Sequence, residues 1–329
     1  MRDRRAMLTG AAGFLGSNLA RELLRQDAEV HVLLRDGSDP WRLADVWSRL
    51  AVHRADVNDA VAVDAALAAA RPQVLFHLAV PPGHPRDRDS RERMLRTLVL
   101  GTAHVMEAAS AHGVARVVQV GSFLEYGPRE SLVRETDPLD PVTARGAAKA
   151  AATLWCREFA RANGLGAVVL RSFSVYGPWE DGGRLIPSAV RAGLEGRPLA
   201  LTDAAPRRDY VFVDDVVHAC VLAACADVEP GEVVNVGTGV LTSNREVLAA
   251  VEAAAGCRIE IAGKYPAQPA DASGCAADIE KAARVLGWQP RYALGQGIEA
   301  TVAWFREHDG RFPSTGGGAV PRGVADGER

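Results

Sequence analysis

Cysteine is scarce and unpaired in this sequence. Cys156, Cys220, Cys225, Cys257 and Cys275 are odd in number and include no Cys-x-x-Cys step, which argues against a disulfide framework and against a zinc site. A reducing compartment, and so a cytoplasmic protein without a bound metal, is expected. Neither sign of charge dominates: 38 Lys+Arg against 41 Asp+Glu leave a net −3, which gives no global reason to bind nucleic acid or an acidic membrane. Long apolar runs are missing too. The most apolar stretch, Val216 to Ala226, carries His218 and is far too short to span a bilayer, while Met1-Arg-Asp-Arg-Arg leads directly into a strand-like segment. What remains is 329 residues at 48% hydrophobic content, enough for a large core without covalent staples.

Short apolar runs alternate with stretches of helical spacing through the first half. Residues 6–9 read as a strand, Phe14–Arg25 as a helix, Glu29–Leu34 as a strand, Asp59–Ala70 as a helix and Gln73–Val80 as a strand. Helix Arg91–His112, strand Ala115–Gly121, helix Ala147–Asn163 and strand Gly166–Phe173 follow. Such alternation implies right-handed βαβ crossovers, hence an α/β fold with a doubly wound parallel sheet covered on both faces. Residues 1–173 are read as this dinucleotide-binding type of domain, with chain returning to it at about 209–237. The order is less regular afterwards: helix Leu185–Leu194, strand Pro198–Leu201, Asp209–Val213 leading into helix Val216–Ala226, strand Glu232–Val236 and helix Asn244–Ala255. Strand Arg258–Ala262 and helices Ile279–Leu286 and Gly295–Arg306 complete a smaller, interleaved lobe over 174–310. Residues 311–329, with three consecutive glycines and two prolines, read as a disordered tail.

Thr9-Gly10-Ala-Ala-Gly13-Phe14-Leu15-Gly16 sits where the first strand ends and the first helix begins. Small residues there let backbone N–H groups approach a pyrophosphate, the helix N-terminus adds positive potential, and Gly16 permits close helix–sheet packing. The second strand ends Leu33-Leu34-Arg35-Asp36. A site for NAD would present a carboxylate to the ribose 2′-hydroxyl; Leu34 offers none and Arg35 is cationic, which favours the 2′-phosphate of NADP. NAD is the alternative, with Asp36 on the ribose and Arg35 in solvent. Asp56, in Ala55-Asp56-Val57, either meets the adenine amino group or stabilises a turn.

Across residues 6–306 the chain resembles the extended short-chain dehydrogenase/reductases, the NAD(P)-dependent epimerases, dehydratases and reductases of nucleotide sugars. The resemblance is carried by the glycine motif at 9–16, His77-Leu78-Ala79, Gly101-Thr102, Gly-Ser-Phe-Leu-Glu-Tyr-Gly at 121–127 and Lys149. It continues through Arg171-Ser-Phe-Ser-Val-Tyr-Gly-Pro178, Arg208-Asp209-Tyr-Val-Phe-Val-Asp214-Asp215, Asn235-Val-Gly-Thr-Gly239 and Leu286-Gly-Trp-x-Pro290. The resemblance implies that Ser122 hydrogen-bonds the reacting sugar oxygen and that Lys149 holds the nicotinamide ribose. By the same likeness Val57, Leu78 and Ala79 border the cofactor, Ser174 belongs to the sugar pocket and Arg208 meets the substrate's diphosphate. An ion pair of Arg208 with Asp214 or Asp215 is the structural alternative. A homodimer is also implied, helices near 91–112 and 147–163 pairing with their symmetry mates and Leu154 and Trp155 contributing.

One position breaks the pattern. Four residues before the lysine, where the family carries its catalytic tyrosine, stands Arg145, and a guanidinium cannot exchange a proton at neutral pH. An active enzyme then needs another proton donor: Tyr126, Tyr176, Glu125, a water chain or the substrate itself. Tyr126, just past Ser122, either gives that proton or packs in the Tyr-Gly turn; on the first reading Tyr126→Phe abolishes turnover. Phe123-Leu124 stand where dehydratases of the family carry an Asp-Glu pair, and Leu98 and Ser174 stand where it usually has asparagine. The missing pair argues against a 4,6-dehydratase, and Glu125-Tyr126-Gly127, in place of the commoner Val-Tyr-Gly, resembles the 4-ketosugar reductases, so a 4-keto-6-deoxysugar reductase is expected. A nucleotide-sugar epimerase and a non-catalytic dinucleotide-binding protein are the alternatives.

Overall fold

The computed structural model describes residues 1–308 apart from 82, 84–86, 130, 202–205 and 265–273; the tail expected at 311–329 lies outside the described residues. In chain order the first half contains β1 (Arg5–Thr9), α1 (Phe14–Arg25), β2 (Glu29–Leu34), β3 (Leu50–Arg54), α2 (Ala60–Ala70), β4 (Val74–His77) and α3 (Arg88–Leu95). A π-helical turn (Arg96–Leu100) joins α3 to α4 (Gly101–Ala111), followed by β5 (Arg116–Ser122), β6 (Leu132–Val133), α5 (Ala144–Asn163) and β7 (Ala167–Ser172). The second half contains β8 (Ser174–Tyr176), α6 (Leu185–Glu195), β9 (Leu199–Leu201), β10 (Arg207–Phe212), α7 (Val213–Cys225), β11 (Glu232–Val236) and β12 (Leu241–Ser243). It closes with α8 (Asn244–Ala255), β13 (Ile261–Lys264), β14 (Ala276–Ala277), α9 (Glu280–Leu286) and α10 (Leu294–His308).

Seven strands form one parallel sheet in the order β11-β7-β5-β4-β1-β2-β3. It is a Rossmann-type α/β fold. Residues alternate across the pleat, Leu8 and Val32 entering the core on one face and Met7, Leu33, Leu75 and Val117 the core on the other, so the strands are apolar throughout. The first core runs on into the later lobe through Tyr176, Phe212, Ile298 and Phe305. Helix α1 turns Leu19, Ala20, Leu23 and Leu24 inward at helical spacing, and each such leucine contributes roughly 1.5–3 kcal/mol by leaving water. The lobe's own strands form small sheets: β8 and β12 flank β10, β13 pairs with β9, and β14 pairs with β6.

Three elements differ from the sequence reading for local reasons. The helix expected over Arg91–His112 is split by the π turn, which rotates the apolar stripe: Leu98 joins Met94 and Ala148 in a small cluster, while Val105 and Met106 face the sheet. The strand expected over Gln73–Val80 ends at His77, because the chain bends there to bring the Leu78 and Ala79 amides onto Thr9 Oγ1, each at 3.2 Å. The strand expected at Arg258–Ala262 begins only at Ile261, since Glu252 holds Cys257 and Ile259 N–H in the helix cap. Among the described residues no helix is long and apolar enough to cross a membrane.

Candidate functional site

Strand β1 pairs with β2 on one side and β4 on the other, so connections leave it in opposite directions and open a crevice at its carboxyl end, the place where sheets of this kind bind ligands. The glycine turn occupies that crevice. Gly10 has φ +70°, and a Cβ on it would lie 2.7 Å from the Leu78 carbonyl; a Cβ on Gly16 would lie 2.3 Å from the Gly10 oxygen. Gly13 caps α1 with no side-chain bond, which leaves the first helical N–H groups and the positive end of the helix to a ligand. The cradle therefore fits a pyrophosphate, with Phe14 and Leu15 opening the helix and Leu78 and Ala79 closing the far side.

The adenosine end is less committed. Arg35 and Asp36 are both exposed past β2, where the Arg35 carbonyl accepts from Ser38 N–H in a turn. Asp56 takes the turn-stabilising alternative: its Oδ1 accepts from Asn58 N and Nδ2 at 2.9 and 2.7 Å. Val57 is buried, with its carbonyl held by His104 Nδ1.

Under the cradle lies a hydrogen-bond chain that sequence reasoning left unassigned. Thr102 Oγ1 donates to Leu98 O, so it accepts from His77 Nε2–H at 3.0 Å, and His77 Nδ1 accepts the Thr9 hydroxyl at 2.8 Å. Burial, with Lys149 nearby, pushes His77 down to about 3, and the imidazole stays neutral.

Ser122 ends β5, and its Oγ accepts from Leu124 N–H at 3.2 Å, which leaves the hydroxyl hydrogen without an acceptor among the described residues. Helix α5 starts at Thr143, whose side chain caps Gly146 N–H, and it carries Arg145 and Lys149 one turn apart on one face. The Lys149 ammonium is buried and donates to Val120 O at 2.5 Å, two residues before Ser122 on the same strand. Burial brings it down to about 8; Glu125 opposes the shift and Arg145 adds to it. Arg145 hydrogen-bonds the Gly83 carbonyl through Nη2, while its Nε is buried with no partner among the described residues. Burial and the nearby Arg184 both work against its charge.

The donors expected to replace the missing phenol are engaged elsewhere, and here the expectation for Tyr126 is corrected. Its hydroxyl is fully buried, donates to Asn235 Oδ1 at 2.8 Å, accepts from Arg171 Nη1 at 2.9 Å, and is pushed up to about 12 by burial. Glu125 receives Ser122 N–H, Thr153 Oγ1 and Arg171 Nε, the last at 2.7 Å, and is wholly enclosed. Tyr176 is buried with its hydroxyl on Leu294 O, and burial raises it as well. These side chains tie β5, β7, α5 and β11 together beneath the site.

On the sugar side, Ser174 pairs in register with Tyr210 on β10, and Arg208 lies two residues earlier on that strand. Of the two partners considered for Arg208, Asp214 and Asp215, the second is held by Arg291 and the amides of 291 and 292. Two further groups at this end carried no motif. Glu180 is buried, lies 3.8 Å from Arg184, leaves Oε2 without a partner among the described residues and is pushed up to about 8 by burial. Arg184 starts α6 and stands near Arg145. Among the described residues no group of three or more His, Cys, Asp and Glu could hold a metal ion.

The model of the NAD dependent epimerase/dehydratase family matches residues 6–237. A UDP-glucose 4-epimerase of Mycolicibacterium smegmatis is 35% identical over 311 residues, covering 92% of this chain and 98% of the relative. A dTDP-glucose 4,6-dehydratase of Streptomyces antibioticus is 31% identical over 312 residues, covering 92% of each. The solved structure of Thermus thermophilus UDP-glucose 4-epimerase in complex with NAD matches with a TM-score of 0.83 at 30% identity, covering 93% of this chain and 99% of that one. By the family match over residues 6–237 and by relatives at 35% and 31% identity over 92% of its length, the chain belongs to the NAD-dependent epimerase/dehydratase family of extended short-chain dehydrogenase/reductases, enzymes of nucleotide sugars.

Proposed function

We propose that the protein is an NAD(P)-dependent oxidoreductase of a nucleotide-linked sugar, acting as a 4-keto-6-deoxysugar reductase. The observation that carries this reading is the free Ser122 hydroxyl and the Lys149 ammonium at the end of β5, two strands from the glycine cradle at β1. The residues around Gly10, Gly13 and Gly16 would hold the dinucleotide, whose nicotinamide, when bound, supplies or receives a hydride. Ser122 donates to the sugar carbonyl oxygen, Lys149 holds the nicotinamide ribose, and Ser174 and Arg208 orient the sugar and its diphosphate. Phe123 and Leu124, apolar where a dehydratase needs an acid and a base, support reduction over elimination. Arg35 at the end of β2 supports NADP; the NAD held by the Thermus thermophilus relative supports NAD.

A UDP-glucose 4-epimerase at 35% identity favours epimerisation as the second reading. Incubation with NADPH or NADH and a panel of nucleotide 4-ketosugars, following cofactor oxidation and product mass, separates the two. A reductase consumes cofactor in step with product, whereas an epimerase retains bound nucleotide and consumes none. Absence of both products, with dinucleotide bound, would leave a binding protein. Leu95 and Leu100, on segments packed against α5, are exposed, as are Leu154 and Trp155 of α5, and this supports a homodimer through these helices.

A further inference from the structure

We propose that Glu125, paired with Arg171, is a positioning residue: its enclosed carboxylate fixes the end of β5 and so aims the Ser122 hydroxyl at the sugar oxygen. The proposal rests on the nucleotide-sugar reading above and deepens it by naming what holds that reading's hydrogen-bond donor in place.

Three consecutive residues at the end of β5 are each held by a different side chain. Lys149 Nζ donates to Val120 O at 2.5 Å, Ser172 Oγ donates to Gly121 O at 3.3 Å, and Glu125 Oε1 accepts from Ser122 N–H at 2.9 Å. The last bond closes a 3₁₀ turn over Phe123–Glu125, in which Leu124 N–H reaches Ser122 Oγ at 3.2 Å. The turn engages the hydroxyl through its oxygen, so the hydrogen is left to point away from it. Without the carboxylate, Ser122 N–H loses its acceptor, the turn loses its closing bond and the hydroxyl loses its fixed place.

The surroundings are built around that carboxylate. Its Oε2 accepts from Arg171 Nε at 2.7 Å, and its Oε1 accepts also from Thr153 Oγ1 at 3.1 Å, on α5 one turn beyond Lys149. Arg171 pairs in register with Gly121, and Gly121 makes the room: a Cβ there would lie 2.7 Å from Glu125 Oε1 and 3.3 Å from Arg171 Cγ. Glu125 and Arg171 are both fully buried, and burial pushes the Glu125 carboxyl up against the opposing pull of Arg171 and of the Ser122 and Thr153 donors.

Closing a turn requires none of this. Ser243 and the exposed Glu246 open α8 with the equivalent pair of bonds at the surface, Ser243 N–H to Glu246 Oε2 at 2.7 Å and Glu246 N–H to Ser243 Oγ at 3.2 Å. Taking an ion pair out of water costs about as much as its attraction returns, and an apolar pair of similar volume serves a fold equally well. What the enclosed pair adds is rigidity beneath Ser122. Rate depends on where a donor stands, since a displacement of about 1 Å can cost roughly 10²-fold.

Glu125→Met combined with Arg171→Met removes both charges together and leaves no buried ion alone. The double variant is expected to keep a cooperative melt and to lose roughly 10–10²-fold in kcat on a ketosugar, with sugar KM and dinucleotide affinity within about twofold of wild type. Gly121→Ala keeps both charges but displaces the carboxylate, and should lower kcat in the same way. Crystal structures of the two variants should show Ser122 Oγ moved out of hydrogen-bonding distance of Leu124 N–H. Wild-type kcat in the double variant, or Ser122 Oγ still seated on Leu124 N–H, overturns the proposal; if the double variant does not fold, Gly121→Ala decides by the same two readouts. The crystal comparison needs no substrate, so an unmoved Ser122 sinks this inference alone, whereas failure of the wild-type protein to turn over any ketosugar sinks the nucleotide-sugar reading.

Discussion

At the scale of single residues, the site is defined by which hydroxyls and amines are already spoken for. Tyr126 stands four residues after Ser122 in the chain, yet its hydroxyl is held between Asn235 and Arg171 on the far strands β11 and β7. Tyr126→Phe is therefore expected to keep turnover and to lose about 1–3 kcal/mol of stability in urea unfolding, because Asn235 Oδ1 and Arg171 Nη1 are left short of a partner. Loss of turnover without loss of stability would restore Tyr126 as the acid. The sequence displays residue types at their spacing, and from that spacing Arg145 is recognisable as the odd member of its motif. It does not display the long-range bonds, such as those closing over 109 and 45 positions, that decide whether a phenol is free.

Among the elements, the turn between β1 and α1 was legible from its glycines, because the requirement is local: a positive φ at Gly10 and no room for a methyl group at Gly16. Gly16→Ala would press Cβ against the Gly10 carbonyl, a backbone atom that can yield only by reshaping the cradle. Calorimetry should show dinucleotide affinity falling by at least roughly tenfold, a change of about 1.4 kcal/mol, and an unchanged affinity would mean that the phosphates lie elsewhere. Helix α8 and strands β2 and β11 likewise follow from local spacing and caps, Ser243 and Glu246 forming a reciprocal box at the start of α8. The π turn at Arg96–Leu100 was not legible, since its apolar residues fit an unbroken helix equally well and only packing of Leu98 against Met94 and Ala148 selects the wider turn. Glu180 and Arg184 escaped for the same reason: their significance arises from burial and from Arg145 across the fold.

For the whole molecule, the parallel sheet was readable from alternation, whereas association between copies rests on which side of each helix faces water. Leu154 and Trp155 are 53% and 41% exposed, a large apolar area for an isolated helix face. Trp155→Glu should convert a dimer into a monomer in light scattering on a sizing column, with dinucleotide binding kept, since Trp155 is exposed on α5 whereas Lys149 is buried about 120° away around the helix. A wild-type monomer at micromolar concentration would dismiss that arrangement.

The late return of β11 to the edge of the sheet bears on how the protein could ever be divided. A piece ending after β7 would carry the glycine cradle, Ser122 and Lys149, yet it would expose the whole hydrogen-bonding margin of β7 and strip α7 from the back of α1. It would also leave the Tyr126 hydroxyl without its acceptor, Asn235 Oδ1. The scissors therefore have no clean line to follow, and the nucleotide-holding half is a unit of chemistry without being a unit of manufacture.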